Sequence, residues 1–336
     1  MSADLQTTRG TAPDVLVVAA THNRAELLPR LVRGLEAQVG APAFEVVIVD
    51  DCSSDDTPSV LAELARASSL PLQWFRQERR AGPAPARNRG WRASPASRVL
   101  FTDDDCVPHT DWVATLLAAL DDHDFVQGTT IPAPDQLQNS GVFSRTLEVR
   151  EPSGTFQTCN MGYRRTWLEK VDGFDEAFDQ PAGEDTDLAL RCLDQGASFA
   201  FCAEAVVEHD VRPSSFRAAL KDTWRWRGVV GALARHPELH ELIGSRWFWK
   251  PSHPRAIAAT VGLATGAGLA LRGRPIVGLA VAAAANAPYA QYRVRRDPIV
   301  ADKAGRVRYL PHALAIDMGE VVALAEGSRR YRKLVL

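Results

Sequence analysis

The residues best suited to chemistry in this chain stand side by side. They are Asp103, Asp104 and Asp105, in the run V-L-F-T-D-D-D-C-V-P at 99–108. The apolar residues 99–101 have the character of a short buried strand and lead straight into the three acids. Adjacent carboxylates at the end of such a strand repel one another, and a cation, or a ligand carrying one, relieves the repulsion. The same letters also suit a solvated acidic turn before Pro108, because Asp forms turns readily. This stretch alone leaves both readings open. A second acidic group, Glu184, Asp185 and Asp187, follows Gly183 and opens a helical pattern with Leu188, Leu190 and Leu193 that closes at Gly196. Acids in a helix's first turn complement its dipole, so this group has a structural reading beside a catalytic one.

The elements around these acids point to a layered α/β domain. Residues 14–20, D-V-L-V-V-A-A, form a continuous apolar run of the kind buried on both faces of a parallel sheet. Leucines and a valine at helical spacing follow in 25–38, then a strand at 44–49, a helix at 58–67, a short strand at 72–75 and a helix around 88–93. The acidic stretch supplies the fourth strand. Repeated strand-then-helix units of this length predict a doubly wound, mostly parallel sheet with ligands at the C-terminal strand ends. Further strands are expected at 125–130, within 155–164 and at 198–208, the last running into His209.

Composition narrows the function. The chain has 336 residues, 46% hydrophobic and 24% charged, room for one large α/β domain and a smaller part. A formal net charge of −2 speaks against a nucleic-acid partner held by a basic face. Five scattered cysteines with no C-x-x-C pair read as reduced thiols of a cytoplasmic protein. Residues 1–13 are small and polar, read as a flexible start without signal-peptide character. No G-x-G-x-x-G follows the first strand and no G-x-x-x-x-G-K-S/T occurs, which disfavours a dinucleotide-binding dehydrogenase and a P-loop NTPase. The strand ends offer carboxylates, Thr, Asn and Arg instead. That set suits a nucleotide held through base and ribose, with its diphosphate on a metal.

Taken in order, the motifs resemble the family 2 nucleotide-sugar glycosyltransferases of GT-A fold. They are T-H-N-R at 21–24, V-D-D-C-S-S-D at 49–55, A-R-N-R-G at 86–90, F-T-D-D-D at 101–105, then C-N-M-G-Y-R-R, G-F-D-E and G-E-D-T-D-L. The resemblance covers about 14–215. Cys52 stands where the family has glycine, which strains the turn if φ there is positive. The resemblance implies a nucleotide pocket lined by Thr21, Asn23 and Arg24, with Asp51 or its neighbour Asp50 accepting from the base. It puts Arg87 and Asn88 near base or phosphate and Asp104 on the ribose. Asp105 becomes a ligand of Mg²⁺ or Mn²⁺ bridging the diphosphate, His209 a support for that metal, and Asp103 an alternative for either aspartate role. Asp185 is implied as general base, with Glu184 beside it, and Asn160 on the acceptor side. The expected reaction is inverting transfer from a nucleoside-diphosphate sugar donor to a hydroxyl of a glycan or lipid-linked acceptor. Read one by one, Asn23 also fits a helix cap and Arg87 a solvated face. A nucleotidyltransferase lacks its glycine-rich loop here, and a non-catalytic nucleotide-sugar-binding partner would not need the Glu184-Asp185 pair.

From 216 onward the character changes to a helical C-terminal region. Trp224 and Trp226, in F-R-A-A-L-K-D-T-W-R-W-R-G, suit either an acceptor sugar or a packing seal. Two segments rich in small apolar residues, 257–271 and 275–289, flank Arg272-Gly273-Arg274. Each is about 15 residues, roughly 22 Å as helix and short of the ~30 Å hydrocarbon core. Aromatic residues before them and arginines after them are the flanks of a membrane interface. A transmembrane hairpin, a surface-lying pair and a soluble hairpin all remain, with association at the inner face of the cell membrane expected. The tail ends in an amphipathic helix and a basic cluster suited to an anionic surface.

Overall fold

The computed structural model describes residues 14–139, 141–178, 180–243, 247–296 and 303–336, so the polar stretch 1–13 lies outside the described residues. The chain divides into two compact units: the chain up to Gln136 with Thr146–Asp210, and Leu137–Arg145 with Val211–Leu336.

The first unit carries β1 (Val15–Thr21), α1 (Leu28–Glu36), β2 (Phe44–Asp50), α2 (Thr57–Ala67), β3 (Leu72–Arg76) and α3 (Pro83–Arg92). It continues with β4 (Arg98–Thr102), β5 (Cys106–Pro108), α4 (Trp112–Asp122), β6 (Phe125–Pro132), β7 (Asn160–Arg164), α5 (Arg165–Lys170), α6 (Glu184–Asp194) and β8 (Phe199–His209). The eight strands form one sheet in the order β3-β2-β1-β4-β7-β6-β8-β5. β1 to β4 are parallel, as their unbroken apolar runs dictate. The other half is mixed, because β7 runs against both β4 and β6 and β5 runs against β8. The three-residue β5 has too little periodicity to be visible in the sequence, yet it turns out to be decisive. Leu16, Val17, Ile48, Val99 and Phe101 are wholly buried, and Trp112, Leu116 and Leu120 of α4 cover the sheet.

Asn160, expected on the acceptor side, is instead part of this scaffold. It is fully buried; its Oδ1 accepts from Trp112 Nε1 at 2.8 Å, and its Nδ2 donates to the carbonyls of Thr129 and Ala205, each at 2.8 Å. The amide thus replaces ladder bonds where β6 and β8 slip register between Gly128 and Thr129. Gly128 makes room for it, since a Cβ there would lie 2.5 Å from the amide nitrogen.

The second unit is helical: α7 (Phe216–Asp222), α8 (Val229–Arg235), α9 (Leu239–Ile243), α10 (Ser252–Leu271), α11 (Pro275–Arg296) and α12 (Lys303–Tyr331). Between α7 and α8 a 3₁₀ segment, Thr223–Gly228, intervenes. It begins where the Thr223 hydroxyl bonds back to the Leu220 carbonyl at 2.7 Å. Trp226 packs within this unit, 5.9 Å from Trp249 and with Lys250 over its ring, so it acts as a seal; Trp224 is 44% exposed. α10 and α11 run longer than their apolar cores and touch backbone to backbone at Gly266 and Gly278. Ion pairs join their base to α12: Asp317 accepts from Arg293 at 2.7 Å and Tyr289 at 2.9 Å, and Glu320 faces Lys250 at 2.8 Å and His253 at 3.0 Å. The far end is exposed, with Leu271 89%, Ile276 84% and Leu279 73% accessible beside the exposed Arg272 and Arg274.

Replacing Asn160 with Ala strands Trp112 Nε1 and two buried carbonyls. A loss of about 2–4 kcal/mol in urea unfolding is expected, and a loss under about 1 kcal/mol would show that the amide is dispensable.

Candidate active site

The C-terminal ends of β1, β2 and β4 bring the expected residues to one edge of the sheet. Thr21 closes β1 and is buried. Asn23 has φ 54°, its Oδ1 accepts from Ser54 N at 2.8 Å, and its own N–H donates to Ser53 Oγ at 2.8 Å. It therefore ties the β1 and β2 loops together and is not the cap of α1, whose N-cap is Leu27. Arg24 reaches Asp104 at 3.6 Å. Cys52 has φ 60°, the conformation that glycine adopts more easily.

Asp50 and Asp51 separate in role. Asp50 is fully buried, accepts from Ser53 N at 2.9 Å and faces Arg76 at 3.6 Å. It closes the turn, so the base contact held open for it falls away. Asp51 accepts from Ala81 N and Gly82 N, each at 2.8 Å, and so ties the β3–α3 loop to the end of β2. The sequence gives one late sign of this partner, the Gly82-Pro83 pair just before α3. Asn88 is also structural: its amide bonds the Phe174 backbone, Glu176 and Trp91, clamping the G-F-D-E loop onto α3. With both amide protons and both oxygen lone pairs so taken, it has no hydrogen-bonding position left for base or phosphate.

The three acids after β4 diverge. Asp104 is buried beside Thr21 and Arg24, and its carboxyl is pushed up to about 7, chiefly by burial and then by Asp105, against the pull of Arg24. Asp105 turns to His209, with 3.5 Å between carboxylate and Nε2. The sheet sets that pair, since β5 aligns Cys106 with His209 and Asp210 N donates to Asp105 O at 2.8 Å. His209 Nδ1 lies 2.9 Å from the Asp210 carbonyl, which only accepts, so Nδ1 carries the proton. Nε2 is then the ring nitrogen turned to the Asp105 carboxylate, and in the neutral imidazole its lone pair and the carboxylate could share a cation. One carboxylate and one imidazole fit Mn²⁺ or Mg²⁺ completed by phosphate oxygens. Cys106 stands in the same cluster; its thiol hydrogen-bonds Cys159, and that bond and burial hold it well above the usual thiol range.

Asp103 points the other way. Arg87, buried, donates to Asp103 at 2.7 Å and to Glu184 at 3.1 Å, joining the end of β4 to the start of α6. Gly183, φ 99°, makes the turn that aims Glu184 and Asp185 inward. Burial, then Asp185, raises Glu184 to about 8 despite Arg87, and burial raises the half-buried Asp185 to about 6. Asp187 is not part of the site: it binds Arg191 at 2.8 Å, and Arg191 holds the carbonyls of Val171 and Gly173. Thr21 Oγ1, Arg24 Nε and Glu184 Oε2 are buried without a hydrogen-bond partner, positions where a polar ligand would supply one.

An acid-tipped strand, a carboxylate–histidine pair and a buried acid at a helix start make up a class of site suited to a charged ligand at the sheet edge. Sequence comparison gives that class its family. The profile described as "Glycosyl transferase family group 2" matches residues 98–271, more than half the chain, and "Glycosyl transferase family 2" matches 16–172. The chain belongs to the family 2 glycosyltransferases. It is 29% identical over 243 residues to the pre-mycofactocin glycosyltransferase of Mycobacterium tuberculosis, across 67% of this chain and 48% of that protein. It is 25% identical over 224 residues to glycosyltransferase AglE of Haloferax volcanii, across 64% and 72%. The chain thus spans about half the length of the mycobacterial relative. Among solved structures it resembles the mannosyltransferase PcManGT of Pyrobaculum calidifontis in complex with GDP-Man and Mn²⁺, TM-score 0.58, 21% identity, 94% of this chain and 87% of that one. The fold is of GT-A type.

The raised Glu184 has a consequence for stability. Between its ordinary 4.5 and about 8 the native state binds more protons than the unfolded chain, so stability falls as pH rises through that window. In EDTA the melting temperature is expected to drop across this range and Glu184→Gln to flatten the drop. A melting temperature that rises with pH there would contradict the assignment.

Proposed function

We propose that this chain is a metal-dependent, inverting glycosyltransferase that uses a nucleoside-diphosphate sugar donor. The observation that carries the reading is the Asp105–His209 pair lying at the same strand end as the Arg87-linked Asp103, Glu184 and Asp185. The Mn²⁺ and GDP-Man of the archaeal mannosyltransferase support this choice of donor and metal.

In this reading Thr21, Asn23 and Arg24 line the nucleotide pocket, and Asp51 fixes the loop that borders the base. Asp104 accepts from the ribose. Asp105 and His209 would hold Mg²⁺ or Mn²⁺, which when bound would supply Lewis-acid stabilisation to the diphosphate leaving group. Asp185 takes the proton from the acceptor hydroxyl as it attacks the anomeric carbon, and a single displacement inverts that carbon. Arg87 keeps Asp103 and Glu184 together, so that the protonation of Glu184 spares Asp185 a second negative neighbour. The acceptor is a glycan or a lipid-linked saccharide.

The exposed tip of the α10–α11 hairpin supports association with the inner face of the cell membrane. α10 is 20 residues, about 30 Å, and by length and composition it is the one helix among the described residues able to cross a bilayer. Small residues at the α10–α11 contact are the packing used between helices in lipid.

Asp185→Asn is expected to cut kcat for Mn²⁺-supported donor turnover at least ~100-fold with KM for donor little changed. Wild-type kcat/KM should rise with pH through about 6, because the base acts deprotonated. Tight donor binding without metal-dependent turnover in the wild type would instead make this a binding module. For the membrane, flotation of the full chain with anionic vesicles is expected and should be lost in Leu271→Asp/Ile276→Asp. Equal flotation of both proteins would defeat that part of the reading.

A further inference from the structure

Asp185 stands in the first turn of α6, and the residue after it is fastened to a loop from an earlier part of the same unit. Thr186 is 6% exposed and donates its hydroxyl proton to the Thr155 carbonyl at 2.7 Å. The same oxygen lies 3.4 Å from Asp185 Oδ1, but a hydroxyl has one proton and the shorter contact takes it. Thr186 N is one of the amides that a helix's first turn leaves unsatisfied, and it donates to Asp185 Oδ1 at 2.8 Å. Asp185 Oδ2 has no hydrogen-bond partner among the described residues. The two carboxylate oxygens are therefore inequivalent: the helix holds Oδ1, and Oδ2 is left to accept a proton.

The loop that takes the Thr186 proton is itself anchored in the sheet. Phe156, next to Thr155, is buried with its ring centroid 6.0 Å from that of Phe125 and 5.1 Å from that of Phe199. Gln157 donates to Thr155 Oγ1 and accepts from Gln127 Nε2 at 3.1 Å. Gln127 lies within β6 and is 1% exposed, so its amide reaches the loop from inside the sheet. The sheet thus holds the loop through Phe156 and Gln127, and the loop holds the first turn of α6 through Thr186. The charged groups around Asp185 are Arg87 from α3, Asp103 from the end of β4 and Glu184 from its own helix, and none of them bonds the Thr186 hydroxyl.

We propose that Thr186 is a positioning residue for Asp185: its hydroxyl, fixed to the Thr155 carbonyl, keeps the helix amide on Oδ1 so that Oδ2 takes the acceptor's proton. A carboxylate free to turn about its side-chain bonds presents either oxygen in several directions, and small misplacements of a reacting group are costly in rate. Thr186 acts only through Asp185 and needs no contact with the reacting atoms. The inference rests on the reading of Asp185 as general base.

The full chain offers two readouts. In EDTA, the Asp185 carboxyl is titrated by ¹³C NMR of protein labelled at aspartate Cγ, with its resonance assigned by its loss in Asp185→Asn. The Thr186 amide bond favours the charged carboxylate, so Thr186→Val should raise the midpoint by about half a pH unit or more, while Thr186→Ser leaves it in place. Gln157→Met loosens the loop without touching α6; it should move the midpoint the same way, and it decides the matter by the same criterion if Thr186→Val does not fold. An unmoved midpoint in the valine and methionine variants, or an equal shift in Thr186→Ser, overturns the proposal. The second readout is hydrolysis of GDP-mannose and UDP-glucose with Mn²⁺, water serving as acceptor. Thr186→Val should lower kcat about tenfold with donor KM unchanged, and should add nothing in an Asp185→Asn background. A loss as large in that background overturns the proposal. Turnover retained by Asp185→Asn alone would instead defeat the general-base reading, while the titration still reports whether Thr186 holds the carboxylate.

Discussion

The site depends on one buried guanidinium. Arg87 sits among Asp103, Glu184 and Asp185, acids that belong to segments far apart in the chain, and its charge makes their convergence tolerable. A buried ion pair of this kind contributes little net stability, since desolvation offsets most of the attraction. What it supplies is position: the end of β4 and the first turn of α6 are held at hydrogen-bond distance. Even so, the pairing does not neutralise the cluster. Burial keeps Glu184 and Asp185 raised, which leaves a carboxylate poised to accept a proton near neutral pH.

A second constraint is strand register. Asp105 and His209 meet because β5 pairs with the end of β8, and a slip of one residue would turn one of them to the opposite face. The Asn160 amide and the Trp112 indole steady the adjoining register shift from inside the sheet. Conserving that geometry requires Gly128, because any larger residue would collide with the amide. Residues that look like chemistry in the sequence can thus be spent on holding the sheet in place.

The second unit follows a different logic. Two carboxylates on α12 are buried and matched by Arg293, Lys250 and His253 at the base of the α10–α11 hairpin, while the far end presents exposed apolar side chains beside Arg272 and Arg274. Although His253, Asp317 and Glu320 cluster closely enough to suggest a metal, protein cations already occupy that role. The ion-paired root and the solvent-facing tip divide the hairpin into a fastened end and an exposed one.

The sequence by itself determined the parallel half of the sheet, because apolar runs such as L-V-V-A and V-V-I-V bury only between two helical layers. It also marked the acids at 103–105 and 184–185, since repelling carboxylates at strand and helix ends are expensive without a partner. It did not separate Asp50 from Asp51, or reveal that Asn88 and Asn160 clamp the scaffold, because polar side chains look alike until their partners are known. Only the tertiary structure divided the three adjacent aspartates, turning Asp103 to Arg87, Asp104 to Arg24 and Asp105 to His209. The physical reason is that each partner lies on a different segment of the chain, and long-range packing, which no local pattern records, decides which carboxylate each one meets.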